Sequence, residues 1–403
     1  MNKIPNGWKE KKLKYIAEIT SSKRIYEYEY VDSGIPFYRG KEITALKNNQ
    51  KIENFIYISE KRYNELKEKY GVPSKYDILI TAVGTVGNAY TIEDDKPFYF
   101  KDGNLLWLKN IKEYPKFVEY LFECNKNVLL NNFFGSVQHA LTISRLENLT
   151  FYFPPLDEQK RIASALSKID AYLENTIKLI EEKERFKRGI AKKLLTCKEG
   201  ENIPEARFKG FEDEWMEVAI SKIGTIITGN TPSTKNESFW NGNNVWVTPT
   251  DIKQKYISNS ERKLTDDGLK KSRKLPANTL LITCIASIGK NAILKCEGAC
   301  NQQINAIIPN KNYNVDFLYY LFENEKSYLK FKAPQSVIKI MSKSEFSKLV
   351  FKFPLLEEQE KIGGYLSLLD KEIDNLKKQK ELIKEMKRGA MQKLLSGEVR
   401  LLE

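Results

Sequence analysis

The chain is written twice. Shifting it by 200 residues lays Phe151, Phe153, Pro154, Leu156, Glu158, Gln159, Ile162, Leu166, Ser167, Asp170, Asn175, Lys178, Glu181, Lys187, Arg188, Gly189, Lys193, Leu194 and Leu195 over identical residues between 351 and 395. The same shift carries Tyr120-Leu121-Phe122-Glu123 onto Tyr320-Leu321-Phe322-Glu323. Upstream the register drifts: Ile80-Thr81 and Gly87 meet Ile282-Thr283 and Gly289, and Trp8 meets Trp215. A repeat of this length means two copies of one structural unit. That agrees with the 403-residue length, which exceeds what a single hydrophobic core ordinarily organises.

The best-kept part of each copy predicts a helix. Pro154-Pro155-Leu156-Asp157-Glu158-Gln159 and Pro354-Leu355-Leu356-Glu357-Glu358-Gln359 put proline before the first turn and carboxylates within it, where the helix dipole favours them. Beyond these starts a narrow apolar stripe recurs every three or four residues. It comprises Ile162, Leu166, Ile169, Leu173, Thr176 or Ile177, and Ile180 in the first copy, and Ile362, Leu366, Leu369, Ile373, Leu376 and Ile383 in the second. Lys and Glu fill the other positions, so each stripe needs a helical partner, as in a coiled coil. A helix from about 156 to 196 would be roughly 60 Å long, which suits a spacer. Packed antiparallel, the two would relate the halves by a pseudo-two-fold axis. Gly363-Gly364 against Ala163-Ser164 predicts a bend near the start of the second helix.

The bodies, about 1–153 and 200–353, read as mixed α/β. Strands are expected at Phe55-Ile56-Tyr57-Ile58, over 76–81 and 279–283, and at Ala306-Ile307-Ile308, with helices near 60–69 and 115–124. The predicted order is thus body, helix 154–199, body, helix 354–403.

Several classes of function are disfavoured. No apolar run approaches the 18 or so residues needed to cross a bilayer, and no secretory leader is visible, which predicts a cytoplasmic protein without a membrane partner. Five cysteines without a CxxC pair disfavour disulfides and zinc. A single histidine, His139, cannot build the usual triad or a multi-histidine metal site. Neither glycine-rich nucleotide fingerprint occurs; Gly84-Thr85-Val86-Gly87-Asn88 reads as a tight strand connection, since its counterpart begins with Ala286. The tetrapeptides of adenine and cytosine methylation are missing as well. The expectation is a chain with no catalytic residues, no metal and no cofactor of its own. Its net charge of +13 favours an anionic partner.

Loops of both bodies carry side chains suited to nucleic acid: small hydroxyls and cations for phosphate, amides for adenine edges. In the second body these are Asn230, Thr231 and Ser233; Thr248, Thr250 and Asp251; Ser287 and Lys290; and Asn301, Gln302 and Gln303. In the first they are Ser22, Lys23 and Arg24; Tyr38, Arg39 and Lys41; Thr85 and Asn88; and Lys101 and Asn104. Singly each is an ordinary solvated turn. Their paired occurrence suggests two readers and two half-sites.

With these features the chain resembles the specificity subunits of type I restriction-modification enzymes. The resemblance rests on two variable bodies followed by helices that open FPPLDEQKRIA or FPLLEEQEKIG and close KRGIAKKLL or KRGAMQKLL, with NIPEARFKGFEDEW and GNTPS besides. It implies that 1–153 and 200–353 are target recognition domains for an asymmetric, bipartite, adenine-containing site in double-stranded DNA. It implies too that the helices form an antiparallel coiled coil, and that two modification (methyltransferase) subunits dock there and bring restriction subunits with them. S-adenosylmethionine, ATP and Mg would then belong to the partners. The first body lacks GNTPS, so Ser22 to Arg24 is only a positional substitute. Three rival readings stand: a self-contained DNA-modifying enzyme, a coiled-coil scaffold that does not bind DNA, and the recognition subunit of a related bipartite system whose partner fuses methylase and nuclease.

Overall fold

The computed structural model describes residues 5–130, 140–333 and 340–402; His139 lies outside them. Two compact units emerge, Met1–Thr176 with Gln379–Glu403, and Ile177–Lys378. The helices Leu156–Leu195 and Leu356–Leu395 are each continuous for 40 residues, and the division crosses both. Each unit therefore holds one body, the beginning of one long helix and the end of the other.

In the first unit one sheet orders Glu18–Thr20, Leu105–Lys109, Ile78–Thr81 and Ala89–Thr91, all antiparallel. Another orders Tyr30–Val31, Ile56–Ile58, Ile35–Tyr38 and Tyr99–Phe100, the last pair parallel. The second unit repeats this plan with five strands, Gly224–Thr228, Ile304–Pro309, Thr279–Thr283, Asn291–Leu294 and Tyr256–Ile257, and with three, Lys263–Leu264, Trp240–Val247 and Gly298–Cys300. The β-rich runs at 78–81 and 279–283 are central strands with every residue buried. Tyr76, expected to open the first of these, instead adopts a left-handed φ of 74°, the conformation that Asn278 takes (φ 62°) before the matching strand.

Each body is joined to its helix by a hairpin-like pair, Lys9–Lys12 with Thr150–Phe153 and Met216–Ala219 with Val350–Phe353. Alternation aims Phe151, Phe153, Phe351 and Phe353 inward. Phe153 meets Phe117 and Ile162 in the first core, Phe353 meets Phe317 and Ile362 in the second. Ile162 and Leu166, like Ile362, Leu366 and Leu369, thus lie in the cores of their bodies. The end of the other long helix completes each core, Met391, Leu394 and Leu395 in the first unit and Leu194 and Leu195 in the second. Further along, Thr176, Ile180, Ile373 and Ile383 are buried and Ile169, Leu173 and Leu376 half-buried, while Ile177 faces solvent; the open choice at 176 or 177 falls to the threonine.

The repeated residues outside the stripe have structural work. Gln159 accepts from Tyr114 N (3.0 Å) and donates to the Pro154 carbonyl; Gln359 accepts from Asn314 N (3.0 Å) and donates to that of Pro354. Glu158 and Glu358, almost wholly buried, take bidentate guanidinium contacts from Arg400 and Arg207 respectively. Tyr120 donates to Asp170 (2.7 Å), which pairs with Lys387 (2.8 Å); Tyr320 donates to Asp370, which pairs with Lys187. In the first unit Asp170 pairs with Lys387 and Tyr172 accepts from Gln379; in the second Lys183 pairs with Glu372, Glu184 with Lys377 and Lys187 with Asp370, so the partner's number falls from 387 to 379 between 170 and 172 and from 372 to 370 between 183 and 187. The helix segments therefore run in opposite directions in both units.

The expected bend at Gly363-Gly364 does not interrupt the helix. A Cβ on Gly363 would come within 2.8 Å of Phe317 N and 3.0 Å of Asn314 Oδ1, so glycine admits the neighbouring helix Val315–Asn324. The equivalent Ala163 is buried in the first core.

Candidate nucleic-acid interface

Strand register brings the sequence-selected loops of each body to one sheet end. In the second unit Thr228 lies opposite Asn305, Thr283 opposite Ile304, and Ile282 opposite Asn291. The chain therefore enters or leaves the sheet side by side at 229–233, 301–303 and 284–290. The parallel pair Val247–Cys300, extended by Asn301 N to the Val247 carbonyl (2.9 Å), adds the loop 248–251. In the first unit Thr81 lies opposite Leu105 and Ile80 opposite Ala89, while Ser21 Oγ donates to the Leu105 carbonyl (2.9 Å). The parallel pair Tyr38–Phe100, continued by Lys101 N to the Tyr38 carbonyl (2.9 Å), adds 38–41.

Hydrogen bonding sorts these candidates into framework and outward-facing groups. Asn230 is framework: its Nδ2 donates to the Lys271 carbonyl (3.0 Å) and its Oδ1 accepts from Arg273 N (2.8 Å). Asn301, buried, spends its amide on Gln303, and Thr248 closes on Asp251 through both N (2.8 Å) and Oγ1 (2.7 Å). Outward are Ser233, Thr250, Lys290 and Gln302. Thr231 Oγ1 donates to Gln302 Oε1 (2.6 Å) and leaves the Gln302 amide NH2 without a partner among the described residues. Ser287 is half-buried; its carbonyl accepts the Thr283 hydroxyl and shapes the turn.

The first unit is more self-paired. Arg39 reaches Glu42 through Nη2 (2.7 Å) and Nε (3.2 Å). Burial alone would raise that carboxyl, but Arg39 holds it below the usual carboxylate range. Arg24 is held by Asp102 (3.0 Å), Lys23 lies over the Tyr70 ring (4.8 Å), and Tyr38 stacks on Phe98 (4.8 Å). Lys41 is exposed, Lys101 and Asn104 are half-buried, and the Asn104 carbonyl accepts from Ala82 N (2.8 Å). Ser22 Oγ is buried with no partner among the described residues.

Sequence reading missed Thr44 and Lys126. Thr44 Oγ1 meets Thr85 Oγ1 (3.2 Å) and Asn88 Nδ2 (3.3 Å), and Lys126 Nζ donates to Asn88 Oδ1 (2.6 Å). It also missed Arg273, whose Nη1 caps the Thr228 carbonyl (2.6 Å). Lys126 had one available signal, its alignment with Lys326 under the 200-residue shift.

The hairpin turn makes the repeat physical. Thr81 and Thr283 hydroxyls donate to the carbonyls of Thr85 and Ser287 and accept from Asn88 N and Lys290 N, both 3.0 Å. Gly84 has φ 78°, and Ala286 at the matching position is forced to 59°. It is a strand connection, as its sequence suggested. Among the described residues no group of His, Cys, Asp or Glu could hold a metal ion, and no helix is long and apolar enough to cross a membrane.

The class is that of a duplicated α/β chain in which each unit presents polar loops at one sheet end and holds parts of both long helices. The profile of the type I restriction modification DNA specificity domain matches the chain twice, over residues 5–182 and 212–385, and the chain belongs to that family. It is 25% identical to the putative type I restriction enzyme MjaX specificity subunit of Methanocaldococcus jannaschii, over 100% of this chain and 96% of that one. It is 36% identical to the MjaIX specificity subunit of the same organism, over 43% of this chain and 42% of the relative, so it spans under half of that relative. Among solved structures it resembles the S subunit of the M. genitalium type I system (TM-score 0.58, 17% identity, 98% and 97% covered). It also resembles a chain from a study of complex assembly and conformational transition of the type I R-M system (TM-score 0.63, 15% identity, 99% and 100% covered).

Proposed function

We propose that the chain is the DNA-reading subunit of a type I restriction-modification complex. Each unit reads one half of an asymmetric bipartite duplex target with the loops at its sheet end. The two long helices act as an antiparallel coiled-coil spacer that sets the distance between halves. Two modification subunits dock on those helices, methylate adenine with S-adenosylmethionine, and recruit the ATP- and Mg-dependent restriction subunits, all in the cytoplasm. This chain contributes address and no chemistry. The recognition domains are 1–153 and 200–353, the spacers 154–199 and 354–403.

One observation carries the reading: loops far apart in sequence, chosen for side chains suited to phosphate and base edges, meet at equivalent sheet ends in both units. The test is co-expression of the full chain with a modification subunit, with methylated adenines mapped across the host genome. A single two-part motif is expected. The purified complex should bind that duplex with a steep negative slope of log affinity against log salt. Scattered or absent methylation, or binding insensitive to salt, would favour the scaffold.

A further inference from the structure

Just beyond its reading loop 248–251, the second unit sends a lysine inward. Lys255, whose side chain is only 9% exposed, precedes the edge strand Tyr256–Ile257. Its Nζ donates to Asp316 Oδ1 (2.6 Å) and Tyr320 OH (3.1 Å) on the helix Val315–Asn324, and to Ser367 Oγ (2.6 Å) on the second long helix. The amine also lies 4.2 Å from the centre of the Tyr320 ring and 4.9 Å from that of Tyr256. Tyr320 in turn donates to Asp370. The stretch that follows the loop is thus pinned to the repeated tyrosine–aspartate pair.

The first unit reaches the same place by other means. Its segment 38–41 runs from the end of the strand Ile35–Tyr38 into the helix Gly40–Lys47, and Lys47 Nζ lies 3.2 Å from Glu123 on the helix Pro115–Cys124, which in turn holds Lys387 of the second long helix (2.6 Å). Two residues on, Asn49 Nδ2 donates to Glu174 on the first long helix (2.8 Å). Edge strand and short helix are unlike in structure, and neither lysine aligns in the repeat, yet both link one loop to a long helix, Lys255 directly at Ser367 and Lys47 through Glu123.

We propose that Lys255 and Lys47 are positioning residues that fix the loops 248–251 and 38–41 against the long helices, each setting the base selectivity of its own half-site without touching DNA. This rests on the DNA-reading assignment above. A lysine enclosed by a carboxylate, two hydroxyls and aromatic faces is spent inside the protein, and burial pulls its amine below the usual lysine range. Neutralising it should loosen the loop and leave the phosphate contacts intact.

The experiment uses the full chain assembled with its modification subunit and duplexes carrying the mapped target or single base-pair changes in either half. For Lys255→Met the preference for the correct second half-site should fall about tenfold or more, within the range one base pair commands. Preference in the other half and the slope against salt should stay as in wild type. Lys47→Met should give the mirror result. Should Lys255→Met fail to assemble, Ser367→Ala decides the matter by producing a smaller loss confined to the same half. Equal losses in both halves, unchanged selectivity, or a slope reduced by about one, as for a phosphate contact, would overturn the inference. A wild-type complex that discriminates in neither half would instead overturn the DNA-reading assignment itself.

Discussion

Removing Arg207 strands a buried carboxylate. Arg207 grips Glu358 through Nε to Oε1 (2.9 Å) and Nη2 to Oε2 (2.8 Å), with side chains 13% and 2% exposed. Two charge-assisted hydrogen bonds are lost in Arg207→Met, each worth about 1.5–3 kcal/mol net. Trp215 Nε1 remains on Oε2 at 3.2 Å and offsets part of the loss. An unpaired buried charge of this kind ordinarily costs about 3–5 kcal/mol, so we expect about 3 kcal/mol. Two units need not unfold together, so one global midpoint would mislead; hydrogen exchange against denaturant, read peptide by peptide, separates them. Protection should collapse in 177–378 and hold elsewhere. Arg400→Met, which strands Glu158 in the first unit, should do the reverse, with a smaller loss because Arg400 is 22% exposed. Glu358→Gln should recover much of the Arg207→Met loss, since a neutral amide has less need of the guanidinium. A cost below about 1 kcal/mol, or equal loss in both units, would refute the assignment of this pair as the lock between body and helix.

At Ala286 the left-handed backbone predicts that Ala286→Gly raises the stability of the second unit by up to about 1 kcal/mol, while Gly84→Ala lowers that of the first; the same peptide-resolved exchange against denaturant checks the opposite signs. Burial favours the neutral form of Glu123, but Lys47 and Lys387 outweigh it and lower its pKa. Its contribution is therefore complete above the ordinary glutamate range and fades as pH falls through and below that range, so between pH 5 and 3 the protection of the first unit, relative to the intrinsic exchange rate, should fall less for Glu123→Gln than for wild type. Exchanging 1–150 for the matching part of another family member should change one half of the methylated motif, and a change in both would count against separable readers. Adding one helical turn to both long helices should shift the preferred gap between half-sites, read from the same methylation maps; an unchanged gap would remove the spacer role.

Much of the architecture was legible because the helix starts obey local rules. Proline, early carboxylates and a stripe at three and four mark residues 156–195 and 356–395 whatever surrounds them. What the stripe touches was not legible: Ile162 and Ile362 have the same spacing as Ile180 and Ile383, yet they lie in body cores, because the strand carrying Phe153 or Phe353 turns directly into the helix. The packing reason for glycine at 363 was hidden for a related reason. Helix propensity registers the cost of glycine, and nothing local registers Phe317 N arriving from elsewhere in the fold. In the loops, residue type was a fair guide to place and a poor one to role. Asn230 and Asn301 have the donors and acceptors for an adenine edge, but backbone and side-chain neighbours consume them, whereas Gln302 beside Asn301 keeps an NH2 outward.

The duplication supplies its own comparison, since both copies have the same tasks of folding and joining. Tyr120, Ser167, Asp170 and Lys187 are matched by Tyr320, Ser367, Asp370 and Lys387, and all eight take part in bonds between or onto the long helices. A change in one such group leaves a desolvated partner unpaired, so the two copies could diverge there only by changing several residues together. At the sheet ends the constraint is different. Asn88 stands where the second copy has Lys290, and each turn still closes on its own threonine hydroxyl. The backbone of the reading end is held from beneath, by Thr81 or Thr283, so the residue above it can change without loss of the turn. Under the proposed function, this separation of support from selection would let the two copies read different sequences, with the tethers at Lys47 and Lys255 coupling the loops to the helices.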